Sequence, residues 1–173
     1  MNILSKFRSV RIFVFDMDGV LTDGGLFIEP DGIWTRRMDI KDGYALNAAS
    51  KAGYKVIVIS GSQSDAVANR LHKLGISEVY MNVTLKEEFL KKMVVEHDLS
   101  LEELLYMGDD LPDSGCLAMA GLSCCPADAP IEIKEICSYI SPFQGGRGCV
   151  RDVIEKVLIL NQKWQKDTSI PSW

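Results

Sequence analysis

The sequence predicts an α/β fold: a Rossmann-like doubly wound parallel sheet flanked by helices, with a β-hairpin inserted after the first strand and no large further insertion. Three observations predict it. Apolar runs of strand length recur along the chain, helical patterns lie between them, and one short segment breaks the alternation with two runs around a Pro-Asp-Gly turn. The runs are continuous rather than alternating, as expected for strands covered on both faces.

Taken in order, the first strand is Ile12–Phe15, which runs into "DMDGVLTDGG". The segment at about 25–40, "GLFIEPDGIWTRRMDI", reads as the hairpin, turning at Pro30-Asp31-Gly32. A helix over Tyr44–Ala52 follows Asp42 as N-cap. Strand Tyr54–Ile59 leads to a helix over Asp65–Leu74, closed by Gly75. Strand Ile76–Met81 precedes a helix over Leu85–His97, and strand Leu104–Met107 a helix over Ser114–Ala120. Weaker strands are Leu122–Cys125 and Tyr139–Ile140, separated by a helix over Pro130–Ile136 with Pro130 in its first turn. Val150, Val153, Ile154, Val157 and Leu158 form one stripe of a last helix at about 150–164. The tail 165–173 is polar apart from Ile170 and Trp173, and reads as loose unless it docks.

At 173 residues the chain predicts one domain, with enough length to bury a core. Composition is that of a globular protein, 47% hydrophobic and 25% charged. A net charge of −5 disfavours nucleic-acid or membrane partners, either of which would select a basic face. Five cysteines without a C-x-x-C pair predict reduced thiols in a cytoplasmic protein. Met1–Val10 carries charges and no long apolar stretch, so no signal peptide is expected, and no apolar run reaches membrane-spanning length.

In an open parallel sheet, ligands bind beyond the carboxyl ends of the strands. There the first strand presents Asp16 and Asp18, the second Ser60 and Gly61, and the fourth Asp109 and Asp110 with Asp113 just beyond. Lys86 begins the helix after the third strand. Each element alone is commonplace; a lone D-x-D is more often a turn or a helix cap. The ordered set is far more specific. Carboxylates gathered in one cleft repel and need a cation, and hard oxygen donors suit Mg²⁺. Ser60, the Gly61 amide and Lys86 supply a hydroxyl, an unhindered N–H and a positive charge for phosphate. The chemistry predicted is phosphoryl transfer, with Asp16 attacking phosphorus and Asp18 as general acid and then base.

Two look-alikes fail. An EF-hand loop beginning at Asp16 would place Val20, Leu21 and Phe27 where a ligand, a glycine and a glutamate are needed. A phospho-acceptor receiver domain orders its acids and lysine differently, with the lysine last, whereas here Asp109-Asp110 follow Lys86.

The stretches "FDMDGVLTDG", "VISGS", Lys86 and "MGDDLPD" resemble the four motifs of the haloacid dehalogenase superfamily of phosphatases. "DGGLFIEPDGIWTRRMDIKDGYAL", "CCPADAP" and "YISPFQGGRGCVRDVIEKVL" are similar to its capless branch, the 3-deoxy-D-manno-octulosonate 8-phosphate (KDO 8-phosphate) phosphatases. The resemblance spans nearly the whole chain. It implies a nucleophile at Asp16 and a general acid/base at Asp18, with Mg²⁺ held by the Asp16 carboxylate, the Asp18 backbone carbonyl and the Asp109 carboxylate. Asp110 would order water at the metal, Asp113 would support the loop, and Ser60, Gly61 and Lys86 would hold phosphate.

The resemblance also implies a phosphorylated sugar acid as substrate, in lipopolysaccharide precursor synthesis. With no cap domain, it implies a homotetramer whose neighbouring subunits cover each site. Arg70 matches an arginine that this branch projects into the adjoining site; a solvated helix arginine is the other reading. Gly145, Gly146 and Gly148 would bring the C-terminal segment near a site, or simply form a turn. Two positions depart from the branch: Ser62 stands where arginine is common, and Asn82-Val83 where Gln-Gly is common. These leave the chemistry alone and open the choice of sugar, a nine-carbon 2-keto-3-deoxy sugar acid 9-phosphate being the alternative. A non-catalytic assembly module built on the same fold is the alternative of another class.

Overall fold

The computed structural model describes residues 2–165 and 167–172. Its main sheet has six strands, all parallel, built from β1 (Ile12–Phe15), β4 (Lys55–Ile59), β5 (Glu78–Tyr80), β6 (Leu104–Met107), β7 (Leu122–Cys125) and β8 (Tyr139–Ile140). The spatial order is β5-β4-β1-β6-β7-β8, so β1 is central, with Ile12 level with Lys55 on one side and Leu104 on the other. The chain order reverses on either side of β1, which makes its carboxyl end the crevice of the sheet.

The period-two alternation of each strand divides the core into two layers. Phe13, Phe15, Val56, Val58, Leu105 and Met107 face one cluster. It is completed by α1 (Ile3–Ser9), α2 (Ile40–Lys51), α3 (Asp65–Lys73) and α7 (Cys149–Leu160). Ile12, Val14, Ile57, Ile59, Leu104 and Tyr106 face the other, under α4 (Lys86–Glu96), α5 (Ser114–Met119) and α6 (Ile131–Ile136). Both layers are apolar, which explains why the strands read as unbroken apolar runs. Among the described residues no helix is long and apolar enough to cross a membrane.

Beyond β1 the insertion is a short antiparallel hairpin, β2 (Phe27–Ile28) and β3 (Trp34–Thr35), separate from the main sheet. A bridge between Thr22 and Met38 closes its base. Phe27 and Ile28 are 61% and 68% exposed, and Ile33 and Trp34 are exposed as well.

Several boundaries differ from those the sequence suggests. The Ile3–Ser9 helix was not anticipated, and the last helix ends at Leu160 rather than near 164. The third strand is trimmed to Glu78–Tyr80, and Pro130 is the N-cap of α6 rather than a first-turn residue. Helix α2 starts at Ile40, capped by Asp39, whose side chain accepts from the Lys41 N–H at 2.7 Å.

Asp42, the expected cap, instead lies buried in the first turn of α2 and caps a different helix. Its oxygens accept from the N–H groups of Gly148 at 3.2 Å and Arg151 at 2.7 Å, at the start of α7. Glycine at the N-cap of α7 has no side chain for that task, so the cap comes from a neighbouring helix. Burial is the main cause that raises the Asp42 carboxyl from 3.8 to about 6. A carboxyl with a raised folded pKa binds more protons folded than unfolded between those values, so its share of stability is lost as pH rises through that window. The shift corresponds to roughly 3 kcal/mol. Asp42→Asn is therefore expected to flatten the fall in stability between about pH 4 and 6, measured by urea melts across that range. An unchanged pH slope would contradict this account.

The tail is docked rather than loose. Tyr44 donates its hydroxyl to the carbonyls of Gln165 and Asp167, and Ile170 packs against the first core cluster. Lys166 and Trp173, part of the same tail reading, lie outside the described residues.

Candidate active site

The crevice beyond β1 is a cleft of about 280 Å³ lined by Asp16, Asp18, Ser60, Gly61, Lys86, Asp109, Asp110 and Asp113, with Ser62 at its side. Every strand-end residue singled out in the sequence lines it. The sheet explains this. The Asp16 N–H continues the β1 ladder by donating to the Met107 carbonyl at 3.0 Å, which sets the end of β1 against the end of β6. The Ser60 N–H donates to the Tyr80 carbonyl at 2.9 Å, aligning the end of β4 with β5.

A tight turn over Met17–Leu21 follows Asp16, with Gly19 at φ 81°. A Cβ at Gly19 would lie 2.0 Å from the Asp109 carboxylate, so glycine is what allows the two loops to meet. The Gly-Gly-Arg-Gly segment braces this turn from behind. A Cβ at Gly145 would lie 1.9 Å from the Gly19 carbonyl oxygen, and the Gly146 N–H donates to the Val20 carbonyl at 2.9 Å. These glycines thus serve a close backbone approach to the Asp16–Asp18 loop of their own chain.

Inside the cleft, Lys86 is buried, and its ammonium contacts Asp16 at 2.7 Å and Asp113 at 2.8 Å. Burial alone would lower the Lys86 pKa, but the two carboxylates more than offset it and the net shift is upward. Burial first, then the Asp113 charge, push Asp16 up to about 6 despite Lys86. Asp109 is pushed up to about 8, by burial and by the charges of Asp16, Asp113 and Asp110. One lysine does not neutralise this group.

Carboxylate oxygens of Asp16, Asp109 and Asp113 lie within 4.8 Å of one another. Asp113 is already engaged, accepting from Lys86, from the Tyr106 hydroxyl at 2.7 Å and from the Asp109 N–H at 3.2 Å. That leaves Asp16 and Asp109 as the pair with excess charge and free lone pairs. Hard oxygen donors carrying unrelieved repulsion fit a divalent cation.

Asp18 sits at the mouth, half-buried, and differs from Asp16 in every contact. Arg36 reaches it with Nε to Oδ1 at 2.6 Å and Nη2 to Oδ2 at 3.3 Å. Ser62 donates its hydroxyl to Oδ2 at 2.5 Å, and Ser60 and Ser62 share a hydrogen bond at 3.2 Å. Asp110 is exposed and caps the turn after it, accepting from the Leu111 N–H at 2.8 Å.

Arg70 does not line the cleft of its own chain; its guanidinium donates to the Ser172 carbonyl of the tail at 3.0 Å, so it is tied to protein rather than only to solvent. Arg36 and Tyr106 are the contributors that the sequence reading missed. Tyr106 was hidden inside an apolar strand run. Arg36 sits in the hairpin with Arg37 beside it, and only the fold separates a buried arginine from an exposed one. A larger groove of about 600 Å³ runs along α7 from Gly148 to Ile159 beside the start of α2 and shares no residue with this cleft; Arg151–Glu155 and Lys156–Asp152 are ion pairs along it.

Residues 75–153 match a family described as haloacid dehalogenase-like hydrolase. The 3-deoxy-D-manno-octulosonate 8-phosphate phosphatase KdsC of Escherichia coli K12 is 29% identical over 162 residues, covering 94% of this chain and 86% of that protein. A crystal structure of the phosphatase of that name from Yersinia pestis superposes with a TM-score of 0.90 at 27% identity, over 93% of this chain and 87% of the other. The Moraxella catarrhalis phosphatase, solved with magnesium, phosphate and KDO, superposes at 0.88 and 30% identity, over 91% of both chains. Likeness of that extent, at 30% identity over 91% of both chains, makes this chain a member of the haloacid dehalogenase-like hydrolases.

Proposed function

We propose that the chain is a Mg²⁺-dependent phosphatase that hydrolyses KDO 8-phosphate to KDO and phosphate through an aspartyl-phosphate, supplying a lipopolysaccharide precursor. The observation that carries this reading is the unlike treatment of two carboxylates two residues apart. Asp16 is buried against Lys86 and faces Asp109, while Asp18 stands at the mouth, held by Arg36 and Ser62. That contrast supports Asp16 as the group that meets phosphorus and Asp18 as the one that meets the leaving oxygen.

Asp16 attacks phosphorus as its ester bond breaks, and Asp18 gives a proton to the departing alcohol. Water then attacks the aspartyl-phosphate, Asp18 takes its proton, and phosphate leaves Asp16. Lys86 and the Ser60 hydroxyl, with the Gly61 amide, face the charge that builds on the phosphoryl oxygens. Asp16 and Asp109, with the Asp18 backbone carbonyl, would hold Mg²⁺, which supplies charge neutralisation for the transferring group. Asp113 orients Lys86, and Asp110 shapes the loop beside Asp109.

The exposed apolar hairpin supports a homotetramer in which a neighbouring subunit covers each cleft, since side chains such as Phe27 and Trp34 leave an uncovered apolar surface. Five unbridged cysteines, four of them buried, support a reducing cytoplasmic setting. Phosphate release from KDO 8-phosphate, from a nine-carbon 2-keto-3-deoxy sugar acid 9-phosphate and from simple esters, with Mg²⁺ or EDTA, tests the reading. The expected result is the highest kcat/KM on KDO 8-phosphate and loss of activity in EDTA. A preference for the nine-carbon acid would move the assignment, and no hydrolysis of any ester with Mg²⁺ would leave an assembly module. Sedimentation of the same protein as a monomer would remove the tetramer.

A further inference from the structure

We infer that Arg36 is the positioning residue for Asp18, clamping its carboxylate in the one orientation from which it can pass a proton to the leaving oxygen. The inference rests on the phosphatase reading above. Arg36 follows β3 directly, so the hairpin sets its place. Its side chain is 2% exposed, whereas that of the adjacent Arg37 is 51% exposed with a loose contact to Asp23 at 3.5 Å. A buried guanidinium without a partner is costly, and Arg36 spends its donors on this one carboxylate and its neighbour.

Two donors of one planar group reach the two oxygens of Asp18, at 2.6 and 3.3 Å. The second also donates to Ser62 Oγ at 3.2 Å, and Ser62 in turn donates to Asp18 Oδ2. Arg36, Ser62 and Asp18 thus close a ring from three separate segments: the hairpin, the loop after β4 and the loop after β1. A carboxyl held at both oxygens cannot swing, so its remaining lone pair and its proton keep one direction.

The balance of the step shows why that matters. As the P–O bond breaks, the leaving oxygen takes the proton from Asp18, and the electron pair of that O–H bond stays on the carboxylate facing Arg36. In the second step water passes a proton back to Asp18 as its oxygen bonds phosphorus and the bond to Asp16 breaks. Arg36 touches neither phosphorus nor the leaving oxygen; it acts through Asp18.

The leaving group reads this role out. Phenolate is a strong enough base to need the proton as it departs, while p-nitrophenolate departs with little help, and the two esters share one shape. Arg36→Met is expected to lower kcat/KM about 30-fold on phenyl phosphate and only about threefold on p-nitrophenyl phosphate, with Mg²⁺ present. Arg36→Lys keeps the charge without the fork and is expected to fall between Arg36→Met and the unaltered protein. Arg37→Met serves as the hairpin control, with both values unchanged.

Equal losses on the two esters, or none, would overturn the role of Arg36 while leaving the phosphatase reading in place. No hydrolysis of either ester, nor of KDO 8-phosphate, by the unaltered protein with Mg²⁺ would overturn both. Should Arg36→Met fail to fold, judged by circular dichroism, Arg36→Lys decides the matter, since its phenyl to p-nitrophenyl ratio must shift in the same direction. A thermal-melt cycle of Arg36→Met with Asp18→Asn reads the contact itself without substrate, and additive effects would contradict it.

Discussion

Asp16→Asn is expected to lower kcat by at least about 10⁴-fold while the protein keeps its fold. The amide has the shape of the carboxylate but is not a nucleophile, so no aspartyl-phosphate can form. The fold should tolerate the change for an electrostatic reason. Asp16 is one of three clustered carboxylates whose mutual repulsion and burial raise its pKa and that of Asp109, and removing one charge relieves that repulsion. Lys86 loses one ion pair but keeps Asp113 at 2.8 Å. Single-turnover phosphate release and a thermal melt on the same preparation check both halves. Activity above about one part in a hundred would remove Asp16 as the nucleophile.

Lys86→Met is expected to damage both stability and rate. The ammonium is 6% exposed and is the one cation in contact with Asp16 and Asp113 among the described residues. Removing one partner from a buried ion pair leaves an uncompensated charge, at a cost of about 3–5 kcal/mol. For a chain of this length that is a fall in Tm of about 10 °C. Tyr106 and the Asp109 N–H still hold Asp113, so the loop after β6 should keep its shape. The rate should fall about 10²–10³-fold, because the charge opposite the transferring phosphoryl group is gone. Melts in EDTA isolate the structural part, and kcat with saturating Mg²⁺ the catalytic part. A melt unchanged within about 2 °C would mean that another cation compensates the carboxylates.

The strands and the chemistry at their ends were legible in the sequence because both are local patterns. A run such as Ile12–Phe15 must lie between two apolar layers, and a parallel sheet must open its crevice where such runs end. That reasoning predicts Asp16, Asp18, Ser60, Gly61, Lys86, Asp109, Asp110 and Asp113 at one edge of the sheet, and all eight line the cleft. Helix limits were less legible. Asp39 and Asp42 are both plausible caps, and the choice turned on α7, more than a hundred residues away. The short helix Ile3–Ser9 has its own cap in Asn2, but it buries only Phe7 and shows little periodicity.

By itself, then, the sequence determined which chemical groups line the crevice and in what order the strands deliver them, since both follow from strand period and strand ends. Tertiary structure alone decided how those groups are paired. Arg36 meets Asp18 across 18 positions and Ser62 meets it across 44, Tyr106 holds Asp113 from inside the core, and Arg70 turns to the tail of its own chain. Periodicity reports which face a side chain takes, but a hydrogen bond between distant segments depends on the packing of every element between them.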